Sequence, residues 1–592
     1  MCAIFGIVGR YDEKAAKRAF ATLSHRGPDA SGIVMLPNLF LAHHRLSVID
    51  LSPEADQPMQ VGEAFIVMNG EVYNYRELAQ ELNEPMETGS DTEVTLKAFL
   101  KFEAQFAKKL RGMYATAIWH KERLHLFRDP FGKKPLYYAQ KDGVFIFSSE
   151  IKAILAYFPQ IKWSRERITS YLFCQSFISP STLYPEIFQV EPGGYLLYED
   201  GRSSERVDDI LILPKKDRRV GIERVEELLV QSVSYRLVAD APLGALLSGG
   251  VDSSLVAAMA VKLYKEPLPT FTVGFDGYKK YDERGFAEDV ARHIGSEHCS
   301  FEMGMDDFLE SVDELAAHLD EPLGDPAAVP LWFLSKRVAK RGVKVLLSGD
   351  GADELFFGYR PYYEMADIEK AKDLKYKRWL HNYFRANYSP NREWEWYKRV
   401  FGESVLFRSS AELFTDLQQN RLLKQNVKDD SSLNYIKEYV ERFKEPEGPQ
   451  WYGYIDFKVQ LTEVFLKKLD RVTMAHGIEA RSPFLDRSLV TELFSCDPDF
   501  RMGSETKWLL KEVAKSYLPS HIVKRKKKGF SYPFIEWLHE SKEIDRVVEM
   551  NRTFGFFRED ALEFLLQKSK KGRFKHHLYA IWFLYKWLEK RT

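Results

Sequence analysis

The chain has 592 residues, of which 45% are hydrophobic and 29% are charged, and its formal net charge is -1 at pH 7. This length exceeds what one hydrophobic core supports, so we expect two large domains, and the composition excludes an intrinsically disordered protein. The near-neutral charge excludes a global field that would hold nucleic acid or an anionic membrane, so we expect neither as a partner.

Two further classes of protein are excluded. No run of about 18 apolar residues is present to span a membrane, and the apolar start, which breaks at Gly6, Gly9 and Arg10, does not resemble a signal peptide. The four cysteines are far apart and form no CxxC pair, which argues against a disulfide framework or a zinc site. We therefore expect a cytoplasmic protein that keeps its N-terminus except for Met1.

The first part of the chain alternates short apolar runs with turn residues, which predicts an antiparallel, sheet-rich α+β domain. Helical spacing interrupts the runs twice. A charged stretch at 200–222 predicts a linker or a connecting strand, and we place the domain boundary between residues 1–205 and 206–592. The predicted strands are CAIFGIVG, AFIVMNG, MYATAIWH, LHLFRDPFG, PLYYA, VFIFSSE and GGYLLYEDG, and the predicted helices are YRELAQELN and DTEVTLKAFLKFEAQF.

Beyond residue 222, strands alternate with helices, as in βαβ units. This alternation predicts an α/β doubly wound parallel sheet, whose ligands bind beyond the carboxyl ends of the strands. Residues 360–460 are helical in pattern, and their mixed Arg and aromatic residues indicate a solvated face rather than a nucleic-acid surface. The predicted strands are APLGALLSGG, PTFTVGF, SEHCSFEM and VKVLLSG, and the first predicted helices are VDSSLVAAMAVKLY and YDERGFAEDVARHIG.

The segment LSGGVDSS, residues 247–254, lies at a predicted strand-to-helix junction. Glycines let the backbone approach an anion, serine hydroxyls donate hydrogen bonds, and a helix N-terminus adds free N–H groups. The GxxxxGK[ST] pattern is absent from the chain, and Asp252 stands where a metal ligand would be useful. The segment therefore predicts a pyrophosphate site and resembles the PP-loop of ATP pyrophosphatases. The predicted contacts are Ser248, Gly249, Gly250, Asp252, Ser253 and Ser254.

A second predicted strand end carries the acidic segment VLLSGDGADELFFGY, residues 345–359. Asp350, Asp353 and Glu354 repel one another unless a cation neutralises them, and Mg²⁺ bound to a triphosphate is the natural neutraliser. The simpler alternative is a polar loop that caps a helix. A third segment, IVKRKKKGFSYP, carries Lys527 in a basic run that either forms a solvated turn or closes over pyrophosphate.

The first domain offers residue types that suit a nitrogen donor. Arg45 would pair with an α-carboxylate and Asp91 with an α-ammonium, so an α-amino acid fits both ends. The Asn69 amide and the Gly70 N–H would form an oxyanion hole.

The sequence allows two interpretations of Cys2. Alone, a free cysteine at the start of a strand is most often a small buried hydrophobe. If Met1 is removed, however, the α-amine of Cys2, with an ordinary pKa of about 7.7 to 8, lies within reach as a base for its own thiol. No histidine is then needed as the base, so we expect His43 and His44 to be structural.

Taken together, these segments resemble the glutamine-hydrolysing asparagine synthetase family of the bacterial type, over nearly the whole chain. The resemblance implies an N-terminal Ntn-hydrolase-type sandwich that acts as a class II glutamine amidotransferase, followed by a PP-loop synthetase domain with a helical C-terminal part. The matching motifs are CAIFGIVG, HRGPD, RLSVID, NGEVYNY, SDTEV, RDPFGKKPLYY, FSSEIKA, LLSGGVDSS, SGDGADELF, LDRVTMAHGIEARSPFLD and KKKGF.

The resemblance also implies roles for matched residues. Cys2 would be the glutaminase nucleophile, Asn69 and Gly70 would stabilise the oxyanion, and ammonia would pass internally to the second site. The implied glutamine contacts are Arg45, Leu46, Ser47, Val48, Ile49, Asn69, Gly70, Glu71 and Asp91. The implied synthetase residues are Leu247, Val273, Ser348 and Gly349 for ATP, Asp252 and Asp353 for Mg²⁺, Asp350 for forming a β-aspartyl adenylate and Lys527 for stabilising it.

Two departures from the family pattern leave the acceptor carboxylate open. Phe357 replaces a glycine, and Asp350 is one methylene shorter than the glutamate of many members. Aspartate is the expected acceptor. The alternatives are a uronic-acid sugar or another metabolite carboxylate, a binding protein on a degenerate scaffold, and a cyclase that forms an intramolecular amide. A homodimer is expected from the resemblance alone.

Overall fold

The computed structural model describes residues 2–213, 218–387, 389, 391–407, 412–424, 431–526 and 529–591. None of the helices in these ranges is long and apolar enough to cross a membrane. The strands are β1 (Ala3–Val8), β2 (Ala30–Leu36), β3 (Leu39–Arg45), β4 (Met59–Val61), β5 (Ala64–Val72), β6 (Gly112–His120), β7 (Arg123–Arg128), β8 (Tyr137–Lys141), β9 (Val144–Ser148), β10 (Phe188–Gln189), β11 (Gly194–Glu199), β12 (Arg202–Val207), β13 (Leu243–Leu246), β14 (Pro269–Phe275), β15 (Glu297–Met303), β16 (Val345–Leu347) and β17 (Glu479–Arg481).

Helices separate and cover these strands. Those of the first part are α1 (Glu13–Ala21), α2 (Tyr75–Leu82), α3 (Asp91–Phe102), α4 (Ile151–Tyr157) and α5 (Ile168–Cys174). Those that surround the third sheet are α6 (Ile222–Arg236), α7 (Val251–Leu263), α8 (Arg284–Ile294), α9 (Met305–His318), α10 (Ala328–Ala339) and α11 (Ala352–Leu355).

The C-terminal part is helical, as predicted, and includes a π-helical segment at Phe457–Leu466. Its α-helices are α12 (Arg360–Glu369), α13 (Lys377–Ala386), α14 (Arg392–Phe401), α15 (Asp416–Leu422), α16 (Leu433–Phe443), α17 (Gly448–Asp456), α18 (Lys467–Met474), α19 (Arg487–Phe494), α20 (Pro498–Met502), α21 (Trp508–Ala514), α22 (Ser520–Val523), α23 (Phe534–Glu540), α24 (Val547–Phe554), α25 (Glu559–Ser569) and α26 (Lys575–Glu589).

The first part is a sandwich of two six-stranded antiparallel sheets, in the orders β10-β8-β9-β1-β3-β2 and β12-β11-β7-β6-β5-β4. Apolar side chains of β1, such as Ile4, pack in one cluster with those of β5 and β6, such as Val67 and Ala117, so the sheets face each other. Phe5, on the opposite face of β1, stacks on Phe20 of α1. Because side chains alternate along a strand, the sheet that contains β1 is buried on both faces. These contacts confirm the predicted α+β sandwich.

The stretch at 200–222 begins as a strand. Arg202–Val207 form β12, which pairs with β11 along its whole length. The connecting-strand interpretation therefore holds for these residues, and the second sheet extends two residues past residue 205.

The second part contains a five-stranded parallel sheet in the order β15-β14-β13-β16-β17. The chain runs outward from β13 through β14 to β15, then returns to β16 on the other side, so the topological switch point lies between β13 and β16. Helices pack on both faces, which confirms the predicted doubly wound sheet. Ligands of such sheets bind at the switch point, beyond the carboxyl ends of the strands.

Candidate functional site

Cys2 lies immediately before β1, where the two sheets of the sandwich meet. Its backbone N–H donates to Asn69 Oδ1 (3.2 Å), and its carbonyl accepts from Arg26 Nε (3.2 Å). The side chain is 7% exposed. Burial raises the pKa of the Cys2 thiol, and the Leu46 backbone and Arg45 offset only part of that effect. The thiol is therefore protonated at neutral pH and needs a nearby base before it can attack a carbonyl.

Asn69 and Gly70 of β5 lie beside this thiol. Because Asn69 Oδ1 accepts from Cys2, its Nδ2 group is left as a donor, and this buried atom has no hydrogen-bond partner among the residues that the structure describes. Gly70 has a φ of 152°, and a Cβ there would lie 2.0 Å from the Met113 carbonyl oxygen. Only glycine fits at this position. An unpartnered buried donor next to a thiol suits an oxygen that becomes negatively charged during acyl transfer.

Arg45 contacts the loop that follows β3. Arg45 Nη1 donates to the Ser52 carbonyl (2.8 Å) and to Asp56 Oδ1 (2.7 Å), and Nη2 donates to the Ile49 carbonyl (3.3 Å). The guanidinium thus holds the loop that follows β3. Its direct contact with a carboxylate stays a prediction. The other predicted residues of this loop are Leu46, Ser47, Val48 and Ile49, of which all but Ser47 are buried.

Two buried carboxylates, Glu71 and Asp91, lie on β5 and at the start of α3. Asp91 Oδ2 accepts from the Val72 N–H (2.7 Å), and burial raises the pKa of Asp91 to about 6. Burial and the neighbouring Glu479 raise the pKa of Glu71 well above its usual value, while Arg481 Nη2 lies 3.8 Å from its Oε2 atom. Such under-compensated carboxylates favour a bound ammonium group.

The adjacent histidines are structural, as expected. His43 Nε2 lies 3.1 Å from the Met68 carbonyl, and burial lowers the pKa of His43 to about 3. His44 stacks on Phe20 with ring centroids 3.8 Å apart. The His44 ring packs between the sheet and α1, whereas the His43 ring lies between the two sheets of the sandwich.

A cavity of about 430 Å³ lies at the switch point of the parallel sheet. It brings together the segment after β13, the acidic segment after β16 and basic side chains from the C-terminal part. Gly249 and Ser254 do not line it. Predicted residues that do are Leu247, Ser248, Gly250, Asp252, Ser253, Val273, Ser348, Gly349, Asp350 and Asp353.

Gly249 shapes the turn after β13, and its predicted contact with pyrophosphate stays a prediction. Its φ is 70°, and a Cβ there would lie 2.5 Å from the Phe286 Cβ of α8. Its carbonyl accepts from Arg525 Nη1 (3.1 Å). Glycine is therefore required so that α8 and the basic segment can pack against the turn.

Lys507 is a site residue that sequence reasoning missed. Its Nζ lies 2.5 Å from Asp252 Oδ2 and 2.6 Å from Asp353 Oδ1, between the two carboxylates predicted to hold a cation. Burial would lower the pKa of Lys507, but the two carboxylates raise it above its usual value. A positive charge is thus favoured at this point. Lys507 follows no recognisable pattern, and the fold alone brings it to Asp252, 255 residues away.

The described residues of the basic segment lie at the cavity. Arg525 forms an ion pair with Glu283, and Lys526 lines the cavity. Lys527 lies outside the described residues, so its predicted role stays a prediction.

The Phe357 departure has a local explanation. Phe357 has a φ of 52°, in the left-handed region where glycine is most easily accommodated. Its buried ring lies 4.8 Å from the Arg501 guanidinium and 5.3 Å from the Tyr362 ring. These contacts stabilise an aromatic residue behind the acidic segment without placing it in the cavity.

Comparison with known proteins agrees with both halves of the site. A glutamine amidotransferase domain model matches residues 1–207, and an asparagine synthase model matches residues 224–589. Asparagine synthetase (glutamine-hydrolyzing) 1 of Bacillus subtilis strain 168 is 32% identical, covering 96% of this chain and 93% of that protein.

Two further relatives carry similar names. A putative asparagine synthetase (glutamine-hydrolyzing) of Mycobacterium bovis is 30% identical, covering 90% of this chain and 86% of its own. Putative asparagine synthetase (glutamine-hydrolyzing) 2 of Methanocaldococcus jannaschii is 35% identical, covering 62% of this chain and 78% of its own. With an asparagine synthase model over residues 224–589 and a relative that is 32% identical over 96% of this chain, the chain belongs to the glutamine-hydrolysing asparagine synthetase family.

Proposed function

We propose that this protein makes asparagine from aspartate, with glutamine as the nitrogen donor and ATP as the activating substrate. The observation that carries the proposal is that one chain holds both sites. At the first, a buried thiol lies near the Asn69 amide, whose Nδ2 has no partner among the described residues. At the second, Asp252 and Asp353 flank the Lys507 ammonium at the switch-point cavity. The first suits release of ammonia from an amide. The second suits activation of a carboxylate by ATP.

At the first site, removal of Met1 would leave the Cys2 α-amine as the base. The amine takes the thiol proton, the sulfur bonds to the glutamine side-chain carbonyl carbon, and the oxygen accepts from Asn69 Nδ2 and the Gly70 N–H. The carbon–nitrogen bond then breaks and ammonia leaves with a proton. Water cleaves the thioester to glutamate. Asp91 would hold the α-ammonium of glutamine, and Arg45 would position the loop at its α-carboxylate end.

At the second site, the aspartate side-chain carboxylate would attack the α-phosphorus of ATP. Pyrophosphate leaves, and ammonia then attacks the β-aspartyl adenylate and displaces AMP. Asp252 and Asp353 fit a magnesium site, because they are carboxylates that already surround a positive charge. Bound Mg²⁺ would neutralise triphosphate charge, while the serines after β13 would contact the phosphates and Lys527 would stabilise the adenylate.

The remaining assignments follow from this chemistry. A thiol nucleophile must stay reduced, which supports a cytoplasmic location. We also propose that the glutaminase unit is residues 1–205, that the synthetase unit is residues 206–592 and that the protein is a homodimer.

The proposal is tested by incubating the purified protein with glutamine, aspartate and ATP-Mg²⁺ and measuring asparagine by mass spectrometry. We expect asparagine, glutamate, AMP and pyrophosphate in equal amounts. Glutamate without asparagine would contradict aspartate as the acceptor. In that case, replacing aspartate with a uronic acid and detecting its amide would establish the other acceptor class.

Replacing Lys507 with methionine tests the cation site without relying on activity. Without Lys507 Nζ, two largely buried carboxylates face each other, and an unpaired buried charge costs about 3 kcal/mol. We expect the variant to unfold at a lower temperature than the unmodified protein in the absence of Mg²⁺. We expect added Mg²⁺ to raise its unfolding midpoint more than that of the unmodified protein, because the cation replaces the lost charge.

Lys511→Met is the matched control, because Lys511 of α21 pairs with the exposed Glu505 and not with the two aspartates. We expect Mg²⁺ to shift its unfolding midpoint as it shifts that of the unmodified protein. An equal Mg²⁺ shift in the Lys507 variant would show that Asp252 and Asp353 do not share a cation.

A further inference from the structure

One residue of the sandwich is linked to the synthetase cavity through two serine hydroxyls. Lys133 lies in the loop between β7 and β8, and its Nζ donates to Ser482 Oγ (2.7 Å), 349 residues further along the chain. Ser482 Oγ lies 3.0 Å from Ser348 Oγ. Ser348 lines the cavity, whereas Lys133 is only 5% exposed. An amine of the first part is thus linked by two hydroxyls to the second site.

The fold holds this connection rigidly. The buried Asp129 carboxylate accepts from the backbone N–H groups of Lys133 (3.1 Å) and Lys134 (2.9 Å), which fixes the loop. On the other side, β16 and β17 are adjacent, and the Ser348 N–H donates to the Arg481 carbonyl (2.8 Å). Ser348 and Ser482 therefore follow neighbouring strands, and their hydroxyls meet because both strands end at the same sheet edge.

The chemistry of the second site requires a group that takes up a proton. Ammonia that has attacked an acyl adenylate carries a positive charge, and it must lose one proton before AMP leaves and a neutral amide forms. A carboxylate is a weak base for this purpose, whereas a neutral amine is a stronger one. We propose that Lys133 accepts this proton through the hydroxyls of Ser348 and Ser482, and so acts as a positioning and relay residue for amide formation. The proposal rests on the proposed function.

The transfer balances in three hydrogen-bonded steps. With Lys133 neutral, the Ser482 hydroxyl donates to the Nζ lone pair across the 2.7 Å contact, and the Ser348 hydroxyl donates to Ser482 Oγ. The attacking nitrogen gives a proton to Ser348 Oγ, the Ser348 proton passes to Ser482 Oγ, and the Ser482 proton passes to Lys133 Nζ. The carbon–oxygen bond to AMP then breaks, and the electron pair leaves with the AMP phosphate. Both serines end with the proton count with which they began, and only Lys133 gains a positive charge.

The surroundings of Lys133 support a neutral amine. Burial, the largest effect, lowers the pKa of Lys133 well below its usual value, and the charges of Lys134 and Arg236 lower it further. Asp350 and Glu479 act in the opposite direction and would stabilise the charged form once the proton arrives. The neutral amine can therefore accept a proton. Asp350, which is predicted to act at the adenylate, would then stabilise the charged form.

The test separates activation from amide formation. With saturating ammonium chloride, aspartate and ATP-Mg²⁺, a single turnover is quenched and both pyrophosphate and asparagine are measured. In Lys133→Met and Lys133→Arg we expect the pyrophosphate burst to stay within about threefold of the unmodified protein, and asparagine per pyrophosphate to fall by about 10²-fold. Arginine keeps a cation but cannot accept a proton.

Three outcomes would overturn the proposal. Restored asparagine formation in Lys133→Arg would mean that a positive charge is sufficient. Loss of the pyrophosphate burst together with asparagine would place Lys133 in adenylation. An unchanged ratio in Ser482→Ala, which removes one hydroxyl and leaves the amine in place, would exclude the relay even if the Lys133 variants fail to fold. Glutamine hydrolysis by each variant reports that the sandwich is intact.

The pH dependence of amide formation tests the relay, because a purely structural role of Lys133 would not change it. With free ammonia held constant, we expect the unmodified protein to form amide more slowly as pH falls, because Lys133 becomes protonated before the reaction. In Lys133→Met this dependence should be absent. An unmodified protein that releases pyrophosphate but makes no asparagine would instead refute the proposed acceptor, independently of Lys133.

Discussion

Replacing Cys2 with alanine is expected to lower glutamine-dependent asparagine synthesis by about 10³-fold or more, because the sulfur that attacks the amide is removed. Synthesis from ammonium chloride should continue, because the switch-point cavity contains no atom of Cys2. Both rates are measured as asparagine formed under saturating ATP-Mg²⁺ and aspartate. The change removes one atom from a buried side chain, so the sandwich is expected to stay folded.

Cys174→Ala is the matched control. Cys174 is also a buried free cysteine, but it lies in α5 and its Sγ donates to the Ser170 carbonyl (3.4 Å). We expect this variant to keep both activities. Loss of ammonia-dependent synthesis in the Cys2 variant would contradict two separate sites. Intact-mass measurement provides a second check, because active enzyme that retains Met1 would exclude the Cys2 α-amine as the base.

The sequence was most informative where one short segment contains both the reactive or ligand-binding residues and the turn that positions them. The turn after β13 was predicted from glycines, serines and a helix start within eight residues, all of which act locally. Asn69 and Gly70 were found by residue type, and the structure places them next to Cys2. The reason that Gly249 must be glycine could not be predicted, because it depends on Phe286, which reaches the turn only when α8 packs against it.

Residues whose roles depend on contacts with distant parts of the chain could not be recognised from the sequence around them. β17 has three residues, too few for alternation to be recognised, and its place beside β16 is set by the sheet. Lys133 and Lys507 appear as ordinary lysines in the sequence. Their roles follow from contacts 349 and 255 residues away along the chain. Arg45 shows the opposite case, because its residue type suggested a substrate contact while loop carbonyls determine where its guanidinium lies.

Replacing Asp353 with asparagine is expected to lower pyrophosphate release from ATP by about 10³-fold. The formal charge of Asp252, Asp353 and Lys507 together is negative, and the substitution makes it zero, so a divalent cation is no longer attracted to the site. Folding should be preserved because Lys507 keeps its contact with Asp252. Pyrophosphate is measured with aspartate and ammonium chloride, and glutamine hydrolysis is measured in parallel.

Glu505→Gln is the control for this prediction, since it removes one negative charge from the exposed partner of Lys511 and leaves the two aspartates in place. It should release pyrophosphate normally. If Asp353→Asn also did so, Asp353 would not be a cation ligand, and Lys507 would be a structural counterion only. If Asp353→Asn lost glutamine hydrolysis as well, the two sites would depend on each other for folding. We expect Asp353→Asn to lose pyrophosphate release and to keep glutamine hydrolysis. This result follows only if the cation binds at the switch point and not near Cys2.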